Sequence, residues 1–286
     1  MERCLSSLRQ STQPTDVMVL DNGSADGTVE RLRSHYPEVM IVENGQNLGF
    51  GRANNIGMKY ALEHGYDAVL LLNQDAWVGS GALQRLADVS SRHPQYAILS
   101  PIHLTGSSTP EPSQAEAGRV EHGFAIYSGV SDLHQQPDAE VVSVPFIDAA
   151  IWFMPCQALR RVGLFAPLFY HYGEDKDLCN RMAWHGLKVG FVPHCYGCHD
   201  REKRQLTRDS FFRAERTYHL SQYANINLSF GRAFALGVLA QLKKSAQSLL
   251  HGHAHNAATY LWQALCLTAR TGEVAATRRE AKLLNS

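Results

Sequence analysis

The sequence predicts an α/β protein: a Rossmann-like, mostly parallel sheet flanked by helices, followed by a C-terminal helical extension. Three observations predict it. Short apolar runs alternate with segments of helical periodicity through the first hundred residues. Several of those runs end abruptly in a cluster of Asp, Asn, Gly and Ser, as strands do where they leave a parallel sheet. From Phe211 onward the chain reads as helix.

Taken in order, "DVMVL" (16–20) is the first strand, and it stops at the turn cluster "DNGSADGT". Ser24 or Asp26 can cap the next helix, where Val29, Leu32 and Tyr36 recur at helical spacing. "VMIVE" (39–43) is a second strand. After "NGQNLGFGRANNIG" a helix turns Ala53, Ile56 and Tyr60 inward and stops at Gly65. "DAVLLLN" is a third strand, 81–93 a helix and "YAILSP" (96–101) a fourth strand. Residues 103–118 are polar and turn-rich, which predicts a mobile loop. "RVEHGFAIYSG" and "EVVSVPFIDAAIWFMP" read as strands. A short helix follows Pro155, then the loop "GLFAPLFYHYG", the helix "EDKDLCNRMAWHG" and the strand "KVGFVP". The predicted division is a catalytic domain over 1–210 and a helical extension over 211–286.

Bulk properties exclude several classes. With 27 basic and 27 acidic residues in 286, no global field attracts nucleic acid or an anionic surface. Six irregularly spaced cysteines suit reduced thiols of a cytoplasmic protein better than a disulfide framework. "MERCLSSLRQST" has no apolar core of a secretory signal, and no apolar run reaches the roughly 18 residues of a spanning helix. The composition is that of a soluble chain.

Ligands of open parallel sheets bind beyond the carboxyl ends of the strands, so "DNGSADGT", "NLGFGRANN" and "NQD" are expected to converge there. "LLLNQDAWV" (70–78) carries the sharpest signal. A buried apolar strand delivers one carboxylate, Asp75, beside the amides of Asn73 and Gln74. A hard divalent cation takes oxygen ligands of this kind together with substrate phosphates, although an Asp here also caps a following helix equally well. "GFGRAN" places Gly49 and Gly51 as in a dinucleotide fingerprint, but Asn54 stands where the third glycine belongs. "YGEDKD" crowds Glu174, Asp175 and Asp177 at a helix start. The helix dipole favours acids there, and the alternative makes one of them a general base. Glu174 and Asp177 share a face while Asp175 points elsewhere. "PHCYGCHD" holds His194, Cys195, Cys198 and His199 without the second cysteine pair of a tetrahedral zinc site, so a single histidine assisting a metal, or a surface histidine, is the better reading.

In order and spacing, "VMVLDNGSADGT", "NLGFGRANNIG", "LLLNQDAWV", "FAPLFYHYGEDKDLCNRMAWHGLKVGFVP" and the following His199 resemble the landmarks of the family 2 glycosyltransferases, which have the GT-A fold. The resemblance runs from about residue 4 to about residue 200 and is strongest to the rhamnosyltransferase-like branch. It implies an inverting transfer of a sugar, rhamnose by branch, from a dTDP- or UDP-sugar to a saccharide or lipid-linked acceptor in cell-surface polysaccharide synthesis. Asp21 and Asn22 would contact the nucleotide, and Gly51, Ala53 and Asn55 would line its pocket. Asn73, Gln74 and Asp75 would meet the diphosphate, and Asp75 and His199 would hold Mg2+ or Mn2+. Asp148 and Ala150 would sit near the donor sugar, Glu174 and Trp152 on the acceptor side, and Asp175 would be the catalytic base. Arg201, Lys203, Arg204 and Arg208 would close over phosphates or, equally, serve as solvated surface charge.

The amphipathic stretch 233–250 suits peripheral contact with the inner face of a membrane, and equally a helix packed on the catalytic domain. Relatives begin with a strand and polar turn that would precede "ERCLSSLRQST". Lacking it, this chain is expected to be a less stable, weakly donor-binding version. Two other classes compete. A nucleotide-dependent oxidoreductase needs an acid about 20 residues past its glycines, and Asp67 and Asp75 fall either side of that spacing. A non-catalytic nucleotide-sugar binder would show binding without turnover.

Overall fold

The computed structural model describes residues 1–111, 118–200 and 207–283. The chain forms two compact units, residues 1–160 with 186–203, and residues 161–185 with 204–286. The segment carrying "YGEDKD" therefore belongs with the C-terminal helices, whereas the sequence reading had assigned it to the first domain.

In the first unit, helix α1 (Glu2–Arg9) precedes strand β1 (Met18–Asp21), α2 (Thr28–His35), β2 (Met40–Glu43) and α3 (Phe50–Glu63). Strands β3 (Ala68–Leu72) and β4 (Ala76–Val78), helix α4 (Ala82–Arg92), β5 (Tyr96–Thr105) and α5 (His122–Ser128) follow. Then come β6 (Val142–Val144), β7 (Ile151–Pro155), α6 (Cys156–Val162) and, after the excursion into the second unit, β8 (Lys188–His199). β1 pairs with β2 in parallel. The other strands form one sheet in the order β3-β7-β5-β8-β4, with β6 on β8. Among the described residues β1 pairs only with β2, and β3 only with β7.

Parallel pairing occurs at β1–β2 and β5–β8, whereas β3–β7, β5–β7, β4–β8 and β6–β8 are antiparallel. The expectation of a mostly parallel sheet is corrected to that extent. β7 returns from far along the chain and inserts between β3 and β5, a long-range pairing that local alternation does not reveal. The core explains why the sheet holds. Leu83, Leu86 and Val89 of α4 are buried against Ala76, Val78, Leu99, Ile151 and Val192 of the strands. A second cluster joins Leu5 of α1 and Leu32 of α2 to Val17, Val19 and Ile41. Full burial of such a side chain contributes about 1.5–3 kcal/mol. At Gly197 an added Cβ would fall 2.4 Å from Ile151 Cδ1, so the Ile151 side chain would have to shift to admit a larger residue.

Two local readings change. Residues 122–128, read as strand, form α5, capped at its end by Gly129 in the left-handed region (φ 75°). The loop placed at 103–118 begins later, because β5 runs on to Thr105. Glu111 is tied back to the N–H and hydroxyl of Ser80.

The second unit is helical: α7 (Glu174–Trp184), α8 (Arg208–Ala224), α9 (Phe230–Phe234), a π-turn segment (Ala235–Leu239), α10 (Ala240–Leu250), α11 (Ala254–Ala269) and α12 (Thr271–Leu283). Its core gathers Phe169, Leu220, Tyr223, Val238, Leu267 and Val274. No described helix is long and apolar enough to cross a membrane.

Candidate active site

β3 ends at Leu72, and the chain turns through Asn73, Gln74 and Asp75 before re-entering the sheet as β4. Backbone bonds fix that turn. Asn73 N–H donates to the Ala150 carbonyl (3.0 Å), and Ala76 N–H to the Asn73 carbonyl (2.9 Å). Asp200 N–H donates to the Asp75 carbonyl (2.8 Å). The pairing of β3 with β7 brings Asp148 and Ala150 beside Asn73; Ala150 is buried and Asp148 partly exposed. Asp75 keeps 45% of its side chain exposed, with Oδ1 3.6 Å from His199 Nε2. Burial raises the Asp75 carboxyl, but the His199 imidazole outweighs it and holds the group below its ordinary value. Asn73, Gln74, Asp75, Asp148, Ala150 and His199 thus share one edge of the sheet. A half-exposed carboxylate beside an imidazole is an oxygen-and-nitrogen donor set that fits a divalent cation.

The nucleotide-side residues are engaged with their own loop. Asp21 is buried, and its carboxylate accepts from Gly23 N–H and Ser24 N–H at 3.1 Å each, with Gly23 at φ 84°. Hydrogen bonding to Ser24 outweighs burial and lowers its pKa. Asn22 Oδ1 accepts from Asn44 Nδ2 (2.9 Å), and its own Nδ2 donates to the Gly49 carbonyl (3.4 Å). Asp21 thus orders the "DNGS" loop itself, and Asn22 ties that loop to "NLGFG". Gly51 and Ala53 are buried in the first turn of α3, and Asn55 is partly exposed.

Behind Asp75 lies a buried polar cluster that sequence reasoning missed. His103 sits in β5 and His199 at the end of β8. Glu121, just before α5, is fixed by its N–H donating to the His103 carbonyl (2.8 Å). Glu121 Oε2 is 3.8 Å from Nδ1 of both imidazoles. Burial pulls His103 below its ordinary pKa. Burial would also lower His199, but Asp75 and Glu121 outweigh it and raise the imidazole to about 9. Burial would raise Glu121, and the two imidazoles instead hold it well below the carboxylate range. The available signal was a histidine inside the apolar run "AILSPIHL".

Trp152 is fully buried in β7, register-paired with Leu71, so its ring has no surface to offer an acceptor. In the second unit, Glu174 and Asp177 are buried and Asp175 is partly exposed, as the facing argument predicts. Asp177 is a structural anion, its Oδ2 accepting from Arg181 Nε at 2.8 Å. Burial raises the Glu174 carboxyl, and its Oε2 has no hydrogen-bond partner among the described residues. Arg201, Lys203 and Arg204 lie outside the described residues. Arg208 opens α8 and donates to Thr259 Oγ1 (2.9 Å) and Asn256 Oδ1 (3.2 Å).

Residues 1–156 match the family described as glycosyl transferase family 2. The chain belongs to that family. This family 2 chain is 28% identical over 220 residues to an N-acetylglucosaminyl-diphospho-decaprenol L-rhamnosyltransferase of Mycobacterium tuberculosis, covering 70% of this chain and 72% of the relative. It is 22% identical over 185 residues to the low-salt glycan biosynthesis hexosyltransferase Agl10 of Haloferax volcanii, covering 61% and 55% respectively. Among solved structures it resembles GalNAc-T7 with UDP, GalNAc and Mn2+ (TM-score 0.56, 15% identity), covering 82% of this chain and 49% of that one. The chain thus spans about half the length of that protein. It also resembles residues 1–349 of S. aureus TarS in complex with UDP (TM-score 0.51, 14% identity), covering 99% of this chain and 84% of that one. At these identities the structural likenesses show the GT-A fold alone, and with it an α/β glycosyltransferase architecture.

Proposed function

We propose that this family 2 glycosyltransferase transfers a sugar, with inversion, from a nucleotide-diphosphate donor to a lipid-linked saccharide acceptor. The observation that carries the reading is Asp75. It is a half-exposed carboxylate on a backbone-fixed turn at the strand edge, oriented by His199 and flanked by Asn73 and Asp148. The likeness to the L-rhamnosyltransferase of Mycobacterium tuberculosis supports rhamnose and a polyprenyl-diphosphate acceptor. The UDP and Mn2+ of the solved neighbours support a UDP- or dTDP-sugar donor and a divalent ion.

Asp75 would hold Mg2+ or Mn2+, which when bound neutralises charge developing on the leaving diphosphate. Asp175 takes the proton of the acceptor hydroxyl. The hydroxyl oxygen attacks the anomeric carbon as the bond to the diphosphate breaks, and the nucleoside diphosphate leaves from the opposite face. Asn73 and Gln74 add hydrogen-bonding capacity beside Asp75 without adding charge. The "DNGS" and α3 loops frame the nucleotide. Exposed leucines and Lys243 on α10 support peripheral contact with the membrane that carries such an acceptor.

The test is a thermal-shift screen of UDP- and dTDP-sugars with Mn2+, since a ligand bound only by the native state raises its stability. Stabilisation by a nucleotide sugar that requires metal is expected. Stabilisation by NAD in place of any nucleotide sugar would sink the proposal.

A further inference from the structure

The two ring nitrogens of His199 face different surroundings. Nε2 looks outward at the half-exposed Asp75, 3.6 Å from Oδ1, while Nδ1 looks into the core at Glu121, 3.8 Å from Oε2. The ring is buried, and Nδ1 has no hydrogen-bond partner among the described residues. Glu121 is delivered there by its backbone. Its N–H donates to the His103 carbonyl (2.8 Å), and its carbonyl accepts from Ala125 N–H (2.9 Å) where α5 begins. Leu104 bridges to Val120 beside it, and Thr105 of the same strand is registered against His199 of β8. The carboxylate is thus fixed under the end of β8, inside the sheet edge that carries Asp75.

An imidazole can occupy one slot in two ways, related by a half-turn about its bond to Cβ. Turned over, the His199 ring would put Cδ2 against Glu121 and Cε1 against Asp75, and neither nitrogen would serve. An ionised carboxylate decides between the two, because it only accepts and needs an N–H opposite it. Two rings are within reach, since Glu121 Oε2 is also 3.8 Å from His103 Nδ1. Ser100 Oγ donates to the Pro101 carbonyl (3.0 Å), so at its 2.9 Å contact with His103 Nε2 it accepts. A fully buried His103, neutral in such surroundings, then has no proton left for Nδ1. His199 is the ring that can supply the N–H. With Nδ1–H turned to Glu121, its Nε2 is the nitrogen presented beside Asp75.

We propose that Glu121 is a positioning residue for the donor cation: it takes the Nδ1–H of His199 and so holds Nε2 toward the ion that His199 shares with Asp75. The inference rests on the metal-dependent transfer proposed above. A carboxylate behind a metal-binding imidazole fixes both the tautomer and the orientation of the ring, and its loss typically costs about 10- to 100-fold in metal affinity. The 3.8 Å separation exceeds a hydrogen bond, and a movement of about 0.8 Å by the Glu121 side chain closes it. Glu121 touches neither substrate nor cation and acts only through His199. Positions 121 and 199 lie far apart in the chain, so no short motif pairs them.

Two measurements on the full-length protein test it. In the first, electron paramagnetic resonance counts free Mn2+ in the presence of saturating UDP or dTDP. Glu121→Met, which keeps the side chain's size and removes the acceptor, should bind Mn2+ about 10- to 100-fold more weakly than wild type. Glu121→Gln keeps an acceptor oxygen and should recover part of that loss, whereas a role in packing alone would leave Mn2+ affinity unchanged in both. The second takes metal-free protein with isotope-labelled histidine, His199 being assigned by its absence from His199→Gln. Long-range proton–nitrogen correlation spectra should show a proton held on His199 Nδ1 in wild type and broadened by exchange in Glu121→Met. A wild-type His199 with no proton on Nδ1 would overturn the proposal even where Glu121→Met fails to fold, and so would equal Mn2+ affinity in wild type and a folded Glu121→Met. Wild-type protein that binds no Mn2+ with either nucleotide would sink the transfer reading instead, and the spectra of the metal-free protein would still decide whether Glu121 holds the ring.

Discussion

Asp75 and His199 face each other where β4 meets β8, Oδ1 3.6 Å from Nε2, while the Asp75 carbonyl accepts from Asp200 N–H at 2.8 Å. The carboxylate is thus held at its backbone and at its tip yet stays 45% exposed. It stays open to solvent at the sheet edge, where β3 gives way to β4.

Asp75→Asn should therefore weaken metal-dependent nucleotide binding at least about tenfold, which is about 1.4 kcal/mol. The same change sits on a half-exposed side chain, so folding stability should move by no more than about 0.5 kcal/mol. Calorimetric titration of UDP and dTDP with and without Mn2+ reads the first, and urea unfolding the second. Equal affinity for wild type and variant in the presence of Mn2+ would remove Asp75 from the donor site.

The position of this edge was legible in the sequence, because the buried run ends at "NQD" as a strand does where it leaves the sheet. Helix periodicity placed α2, α3 and α4 to within a few residues, and Glu174 and Asp177 fall on the buried face that their spacing requires. What escaped was non-local. The insertion of β7 between β3 and β5 depends on distant pairings, Leu72 with Ile151 and Leu99 with Phe153, and "FAIY" in α5 is apolar without a period that separates strand from helix. His103 and Glu121 were passed over because each is unremarkable alone, and only the β5–β8 register and the Leu104–Val120 bridge bring them to His199.

Asp175 and Glu174 stand side by side at the start of α7, the first partly exposed and the second buried. Asp175→Asn should lower turnover by about 10² to 10⁴ while leaving donor affinity unchanged, as loss of a general base does. Steady-state kinetics with calorimetry separates the two effects. An Asp175→Asn enzyme of near-normal rate alongside an inactive Glu174→Gln enzyme would transfer the role to Glu174.

Glu174 also makes a prediction about pH. Burial raises its carboxyl above the ordinary value, and Oε2 is without a hydrogen-bond partner among the described residues. An acid with a raised folded-state pKa favours folding when protonated, so its contribution is greatest below the unfolded pKa and is lost as pH rises through the folded one. Glu174→Gln, a neutral mimic, should raise the melting temperature at pH 7 and give little or no gain near pH 4. Scanning calorimetry at both pH values checks it, and a variant less stable than wild type at pH 7 would contradict it.

Arg181 is a buried polar tie within the second unit. Its Nε donates to Asp177 (2.8 Å), Nη1 to the Val162 carbonyl (2.9 Å) and Nη2 to the Leu164 carbonyl (2.6 Å), with both charged side chains buried. Removing one member of a buried pair costs about 3–5 kcal/mol, because the other charge is left without compensation. Arg181→Ala should fall in that range by urea unfolding. Asp177→Asn with Arg181→Met together should cost less than Arg181→Ala alone.

The exposed face of the C-terminal helices carries the last prediction. Leu249 and Leu250 of α10 are 63% and 85% exposed, and Trp262 and Leu265 of α11 are 65% and 56% exposed. Arg208, Arg213, Arg216 and Trp262 line one groove, and Lys243 is exposed on α10. Leucines and a tryptophan in water are costly, and basic side chains beside them are attracted to anionic lipid at about 1 kcal/mol each. Intact protein should float with vesicles rich in phosphatidylglycerol and show a blue-shifted tryptophan emission. Binding should weaken as salt is raised, because screening shortens the reach of the basic residues. Leu250→Ser with Trp262→Ser should reduce flotation without lowering the melting temperature, since neither side chain is part of a core. Protein that stays in the aqueous fraction with anionic vesicles at low salt would end the proposal of membrane contact and leave the transfer chemistry untouched.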